Sequence, residues 1–440
     1  MVVVFYSIQF CRIIWCFSNR IWQRGRTLRE VFVIGIGMTA FGRFLDRSLS
    51  SLAEEAVRAA LSDAAAVESQ IEAIAFANAT QGAMEGQYGI RGQVALQTMP
   101  FDAVPIINVE NACASASTAF NVAMMQIQSG SVEVALAVGA EKMASVDTAL
   151  SMAAFEGSWD RARKAATLER LAILGKGMPT PPEEALREGS HTVFMDIYSA
   201  FAKYHMARFG TTQRQLAEVA AKNHRHSVHN PLSQYRKPFS ADEVLAARLI
   251  AWPLTLPMCS PISDGAAAAV LCSAEALSHF DRQRAVKVRA SVLMNGGRRA
   301  PDDLEMHISR RAANKAYASA GVGPEDIDIV ECHDATAFGE IQQSENLGFF
   351  DFGDGGPMAA RGVTTVGGRI PFNPSGGLES KGHPIGATGL GQIHELVTQL
   401  RGEAGARQAG RPRLALQENG GGLMGIEEAA VAITILEAPA

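Results

Sequence analysis

The order of elements around Cys113 recurs around His383, and this repeat constrains the fold more than any other feature of the chain. From Val31 the sequence becomes regular. VFVIGIG, beginning at Val31, predicts a buried strand, Leu52 to Ala66 an amphipathic helix, and Ile71 to Ala77 a second strand. Another strand, Pro105 to Val109, runs into ENACASAS. Beyond it Ala116, Ala119, Phe120, Ala123, Met124 and Ile127 recur on one helical face, and Gly130 suits the residue just past the helix end. Val132 to Gly139 is strand again. In the second half Val286 to Met294, Ser309 to Ala320 and Ile327 to Glu331 read as strand, helix and strand. A glycine-rich loop then leads into a helix with Leu390, Ile393, Val397 and Leu400 along one side, and Leu414 to Gln417 and Ala430 to Leu436 are closing strands. His383 thus holds the topological place in the second half that Cys113 holds in the first. Two duplicated α/β halves follow, and two helix N-termini facing each other bring thiol and imidazole together.

The loop from Asn373 to Gly391, NPSGGLESKGHPIGATGLG, packs six glycines and two prolines about its single histidine. Glycine permits positive φ and close backbone approach, so this density describes a loop shaped around something. The plain alternative is a tight turn in which His383 is incidental. A helix start beside the imidazole supplies free N–H groups for an anionic oxygen.

The charge balance gives that oxygen no global source. With Lys+Arg 40 against Asp+Glu 45 the net charge is −5, so nucleic acid is not an expected partner and any anion site is local. The chain, at 440 residues, is long enough for at least two cores. Cys11, Cys16, Cys113, Cys259, Cys272 and Cys332 show neither a paired framework nor zinc spacing, which favours a reducing compartment. Residues 1–30 are unlike the rest. The run MVVVFYSIQFCRIIWCF is interrupted by Arg12 and lacks a small-residue cleavage site, so neither a signal peptide nor a membrane span fits. Arginines at 12, 20, 24, 26 and 29, with no acid before Glu30, allow a transit peptide. The preferred reading is an extension outside the fold, in a cytoplasmic protein.

Between the halves, from about Glu141 to Trp252, the pattern changes to helical patches, the turn PTPPEE and a basic portion. Lys203, Arg208, Arg214, Lys222, Arg225, Arg236 and Lys237 are opposed by Glu218 alone. Two accounts compete: a solvated helix face, or a clamp for a phosphate-bearing substrate. His224, His226 and His229 have no interleaved cysteine or carboxylate, so no metal is expected.

Cys113 lies where a strand ends and a helix begins, between Ala112 and Ala114, and the helix N-terminus is expected to lower its thiol pKa from the free value of about 8.5. Cys259 and Cys272 read as inert core. Cys332 and His333 point to opposite faces of a strand, and His333 is the one expected to face the site. One cysteine and two histidines at strand ends suggest acyl transfer: the thiol attacks a thioester or 3-oxoacyl carbonyl, an imidazole takes its proton, and both histidines polarise carbonyl oxygens. NGGGLMG, 419–425, offers backbone N–H groups for a second oxyanion hole.

ENACASAS with Cys113, ECHDATAF with His333, NPSGGLESKGHPIGATG with His383, and QENGGG resemble the four active-site blocks of the thiolase superfamily. The His-Asp form of the second block, and the segment HMARFGTTQRQLAEVAAKNHRHSVHNP, resemble its sterol-carrier-protein type. The resemblance runs from about Val31 to the end. It implies an αβαβα layering of two mixed-sheet halves, 31–280 and 281–440, with a loop domain of about 141–252 inserted in the first. Cys113 becomes the acylated nucleophile and His383 its base. His333 and His383 line one oxyanion hole, and the N–H groups of Cys113 and Gly420 form the other. Ser260, and less firmly Arg225 and Lys237, contact coenzyme A, which is a substrate in an enzyme without a cofactor.

One departure stands out. The second cysteine of thiolases is absent from both its positions, which here hold Glu418 and Ala335. Glu418 or Cys332 takes its place, and Glu418 is preferred because a desolvated carboxyl can act as acid; its plain alternative is a structural hydrogen-bond acceptor. The resulting expectation is a degradative acyl-CoA C-acyltransferase, acting on fatty or aromatic acyl groups as a homodimer or homotetramer. The alternatives are C-acylation or retro-aldol cleavage with a small partner subunit, and a non-catalytic acyl-CoA or lipid-binding subunit.

Overall fold

A computed structural model describes residues 28–178 and 191–439. Cys11, Cys16, most of the N-terminal extension and the turn PTPPEE lie outside the described residues. The first half comprises β1 (Val31–Met38), α1 (Leu49–Asp63), β2 (Ala73–Ala77), β3 (Ile106–Val109), α2 (Ser115–Gln128) and β4 (Val134–Glu141). After an insertion carrying α3 (Val193–Phe209) and α4 (Gln213–His226), it closes with β5 (Gly265–Ser273). The second half follows as β6 (Val286–Asn295), α5 (Ile308–Ala320), β7 (Ile329–Glu331), α6 (Ala337–Asn346), α7 (Thr388–Leu400), β8 (Leu414–Gly421) and β9 (Ala430–Glu437).

Most elements fall where the apolar periodicity puts them. Helix α1 starts and stops earlier than its apolar stripe predicts, because Ser48 caps it by accepting from the N–H of Ser51 and Ala65 turns out at φ 50°. Strand β5 was not expected at all. Its run GAAAAVLCS is poor in β-branched residues, but small side chains on a strand buried along its whole length let helices pack closely on both faces.

Among the described residues nine strands form one sheet in the order β3-β2-β4-β5-β1-β6-β9-β8-β7. Read outward from the centre, β1-β5-β4-β2-β3 on one side matches β6-β9-β8-β7 on the other. The counterpart of β3 is reduced to one parallel bridge between Val330 and Phe372. Each half is parallel at its outer strands and antiparallel inward. The halves join where Val31, Phe32 and Val33 pair antiparallel with Val288, Lys287 and Val286.

Three cores fix five layers. Leu52, Ala56 and Val57 of α1 pack on Ile74, Leu136 and Val270. The opposite faces of both half-sheets enclose α2 and α7, whose Phe120, Ile127, Ile393 and Leu396 share one cluster with Ala137, Ala269 and Ala415. On the far side Ala312 and Ala316 of α5 meet Val292, Leu416 and Ile433. The layering is therefore αβαβα. Leu216 and Ala220 of α4 pack on Phe338 and Ile341 of α6, so the insertion from the first half rests on the second. Among the described residues no helix is long and apolar enough to cross a membrane.

Candidate active site

The chain is bent sharply before Cys113. Ala112 holds φ 48°, a left-handed value that a Cβ makes costly by about 1–2 kcal/mol. Neighbours secure the bend: Glu110 accepts from the N–H of Ala112, while Ser115 Oγ accepts from the N–H of Asn111 at 2.9 Å and donates to the Ala112 carbonyl at 2.6 Å. The thiol is thereby left at the start of α2, half-buried. Strand β8 comes up close behind it. A Cβ on Gly421 would lie 2.2 Å from the Asn111 carbonyl oxygen and 2.5 Å from the Ala114 nitrogen, so only glycine fits.

The other half brings in His383, whose backbone N–H donates to Ser263 Oγ at 2.9 Å. Its tautomer follows from its partners. The Thr388 hydroxyl donates to the Pro384 carbonyl, so Thr388 Oγ1, 2.7 Å from Nδ1, must accept the Nδ1 proton. Nε2 therefore keeps its lone pair, and it lies 3.3 Å from Cys113 Sγ. For His333 the logic runs the other way. Gln417 donates to Ser117 Oγ, Ser117 donates to Asn419 Oδ1, and the Asn419 amide donates to His333 Nδ1 at 3.2 Å. His333 thus carries its proton on Nε2, free to meet a ligand oxygen. The two rings stand 5.1 Å apart and nearly perpendicular.

Burial sets the charge states. It depresses His333 to about 4 and pushes His383 well below its usual range, with the charges of His333 and Lys381 adding to the latter. Both imidazoles are neutral at pH 7. The thiol does not follow the helix-end expectation: burial pushes Cys113 up to about 12, and Glu141 and Glu110 add to it, against the N–H groups of Gly422 and Cys113. Desolvation by the surrounding walls of the site outweighs the helix terminus. The resting pair is S–H beside a neutral Nε2.

Two family models fit the chain, "Thiolase, N-terminal domain" over residues 31–244 and "Thiolase C-terminal domain-like" over 295–435. Human sterol carrier protein 2 is 38% identical over 91% of the chain and 71% of its own length. The chain belongs to the thiolase family. The acetyl-CoA acetyltransferase of Methanothermobacter thermautotrophicus is 35% identical, covering 90% of this chain and 98% of itself. Among solved structures, the Ltp2-ChsH2(DUF35) aldolase superposes with a TM-score of 0.73 at 23% identity, over 93% of this chain and 98% of that one, a likeness of fold.

A cavity of about 630 Å³ opens onto the Cys113, His333 and His383 side chains. Met152, Phe155, Phe194, Tyr198, Phe201 and Phe239 supply an apolar wall, and the exposed cations Arg43, Arg236, Lys237 and Arg248 mark the solvent end. Of the residues expected to contact coenzyme A, Ser260 and Lys237 line this cavity, whereas Arg225 is exposed on α4 and is not in its wall. Arg43 and Arg248 lie outside the basic run, and no motif in the sequence marks them.

The basic run divides between the two accounts given for it. Lys222 is buried against Glu340 at 2.9 Å, Arg214 pairs with Glu218 and Asp242, and Lys203 lies 6.0 Å from the Trp252 ring centre. Only Arg236 and Lys237 of the run reach the cavity. His224 lines it too, but its Nε2 is 3.1 Å from the Pro257 carbonyl, and His226 is buried beside the Asn373 carbonyl. Among the described residues the one cluster of soft ligand atoms is Cys113, His333 and His383, all within 4.8 Å of one another.

Glu418 is placed differently from the expectation. It is fully buried, does not line the cavity, and accepts from the backbone N–H of His333 at 2.8 Å, the structural role given as its alternative. Strand alternation explains this: Gln417 and Asn419 face Ser117 and His333, so the side chain between them turns away. Cys332 is buried beside the Asn373 amide and also lies outside the cavity wall. Gly420 does line the cavity, yet the glycine amide directed at the Cys113 sulfur is that of Gly422. The third glycine of QENGGG carries no sequence mark that separates it from the first.

Proposed function

We propose that this thiolase-family acyltransferase cleaves a 3-oxoacyl-CoA with coenzyme A through an acyl-Cys113 intermediate, with coenzyme A as a substrate and no resident cofactor. The observation that carries the reading is the 3.3 Å approach of an unprotonated His383 Nε2 to the Cys113 thiol at the cavity floor. In this reading the ligand-free thiol keeps its proton until substrate arrives. His383 then takes it as sulfur attacks C3, and oxygen charge develops beside His333 Nε2–H and the backbone N–H groups of Cys113 and Gly422. The exposed cations would hold the nucleotide phosphates, and the apolar wall the acyl group. Strand β3, an outer strand with Ile107 exposed, offers an edge for a second copy in a homodimer or homotetramer.

A second reading, retro-aldol cleavage with a small partner subunit, draws on the solved aldolase complex and on the absence of a cysteine at 335 and 418. A thiol already paired with a base favours acyl transfer. The deciding experiment is intact mass after mixing the purified protein with acyl- and 3-oxoacyl-CoAs, with peptide mapping. A stable acyl adduct on Cys113 is expected; no adduct from any donor removes the acyl-enzyme reading.

A further inference from the structure

The cavity holds an acid that the reaction above does not yet use. Glu428 follows the turn after β8 and is 8% exposed, with that remainder facing the cavity. One carboxyl oxygen, Oε1, accepts from Gln343 Nε2 at 3.0 Å; the other, Oε2, has no hydrogen-bond partner, with His307 Nε2 at 3.5 Å. Space for it is made by glycine. A Cβ on Gly420 would sit 2.8 Å from Glu428 Cγ and 3.5 Å from its carboxyl carbon, so any other residue there would displace the side chain. The same point is 3.5 Å from Glu418 Oε1, which places the two carboxyls next to each other, Glu428 on the cavity side and Glu418 behind.

We propose that Glu428 is the acid and base that stands in for the missing second cysteine, giving its proton to C2 when the carbon–carbon bond breaks. The assignment rests on the 3-oxoacyl-CoA reading and completes its proton balance. His383 takes the Cys113 proton and the thiolate attacks C3. The C2–C3 bond breaks, and its electron pair passes to C2 as the enolate of the shortened thioester. Glu428 protonates C2 and becomes a carboxylate. It next removes the thiol proton of coenzyme A, whose sulfur attacks the acyl-Cys113 thioester. Cys113 leaves as thiolate and recovers its proton from His383, so both acids return to their starting states.

The surroundings suit a proton donor near neutrality. Burial, and then the charge of Glu427, push the Glu428 carboxyl up to about 7, against its own backbone N–H, Arg299 and Gln343. The other titratable groups around it are His307, Glu418 and Tyr198. Glu379 also lines the cavity, but it is tied through Asn223 to Asp334 and Glu340 and to the buried Lys222. Its Oε2 is unpaired as well, and what separates Glu428 is its seat against Gly420 of β8.

The test compares wild type with Glu428→Gln in two measurements: acyl adduct on Cys113 by intact mass, and exchange of C2 protons of an acyl-CoA in deuterated water. The adduct is expected still to accumulate in the variant on long incubation, more slowly because Glu428 also returns a proton to the departing coenzyme A sulfur, while exchange falls by about a hundredfold or more. A variant that exchanges within about threefold of wild type overturns the assignment and leaves the acyl-enzyme reading standing. Complete loss of the adduct in the variant alone, even on long incubation, makes Glu428 structural and also overturns it. Loss of exchange in Glu418→Gln but not in Glu428→Gln gives the role to Glu418. A wild type that forms no adduct removes the parent reading and this assignment together.

Discussion

The two halves of the molecule repeat one topology and divide the chemistry unequally. In the first, β3 runs through a strained alanine into Cys113 and α2; in the second, a single bridge at Phe372 runs through a long glycine loop into His383 and α7. The first half contributes the sulfur. The second contributes both imidazoles, the acids Glu418 and Glu428, and the glycine amide aimed at the sulfur. A short, tightly bent connection suffices to present one thiol. Arranging titratable groups around it takes a longer loop, one that can reach from Ser263 to the start of α7. Duplication therefore supplies two facing helix ends, and divergence of the second connection sets an imidazole against the thiol.

That division is broken most severely by exchanging side chains at the junction. Cys113→Ala should abolish the acyl adduct. His383→Gln should keep the adduct attainable but slow its formation by about a thousandfold, read by rapid-quench mass spectrometry, because glutamine cannot take the thiol proton. Near-normal acylation in His383→Gln would mean that the first half activates its own nucleophile, and the contrast between halves would fail.

Sequence carried this architecture unevenly. Cys113, His333 and His383 were legible because each ends a strand in small or glycine-rich surroundings, where function leaves a local trace. The repeat was legible because apolar periodicity survives divergence. Strand β5 was not, since alanine has no strand signature and burial on both faces is a tertiary fact. Nor was Glu428: an acid pair after a glycine turn reads as solvated surface, and only the fold over Gly420 puts it in a cavity. The cations at 203–222 suggested ligand contacts that carboxylates and aromatic rings of the protein itself take up, and no spacing rule foretells a partner as distant as Glu340.

The charge state of the thiol sharpens the comparison. If the helix end governed Cys113, alkylation by iodoacetamide would level off near pH 8. With burial holding the thiol up to about 12, the thiolate fraction at pH 7 is very small and grows about tenfold for each pH unit. The expected profile for ligand-free protein is a steady rise from pH 7 to about 10, with peptide mapping to separate Cys113 from Cys259 and Cys272. A plateau below pH 9 would show that α2 sets the thiol and that the second half merely relays protons.

The smallest effects lie in the two bends themselves, where both halves use a left-handed residue, Ala112 at φ 48° and Asn373 at φ 52°. Asparagine tolerates that conformation, and its side chain is occupied: Oδ1 accepts from the Cys332 N–H at 2.9 Å and Nδ2 donates to Glu340 at 2.9 Å. Asn373→Gly should therefore lower unfolding stability by about 2 kcal/mol or more through unpaired buried groups. Alanine gains nothing comparable. Ala112→Gly removes about 1–2 kcal/mol of strain and adds about 0.5–1 kcal/mol of unfolded-chain entropy, so denaturant unfolding should show a change within about 1 kcal/mol, on the stabilising side. A larger loss at 112 than at 373 would mean that the alanine bend is held by packing that glycine cannot replace, and that the first half is built as tightly around its sulfur as the second is around its base.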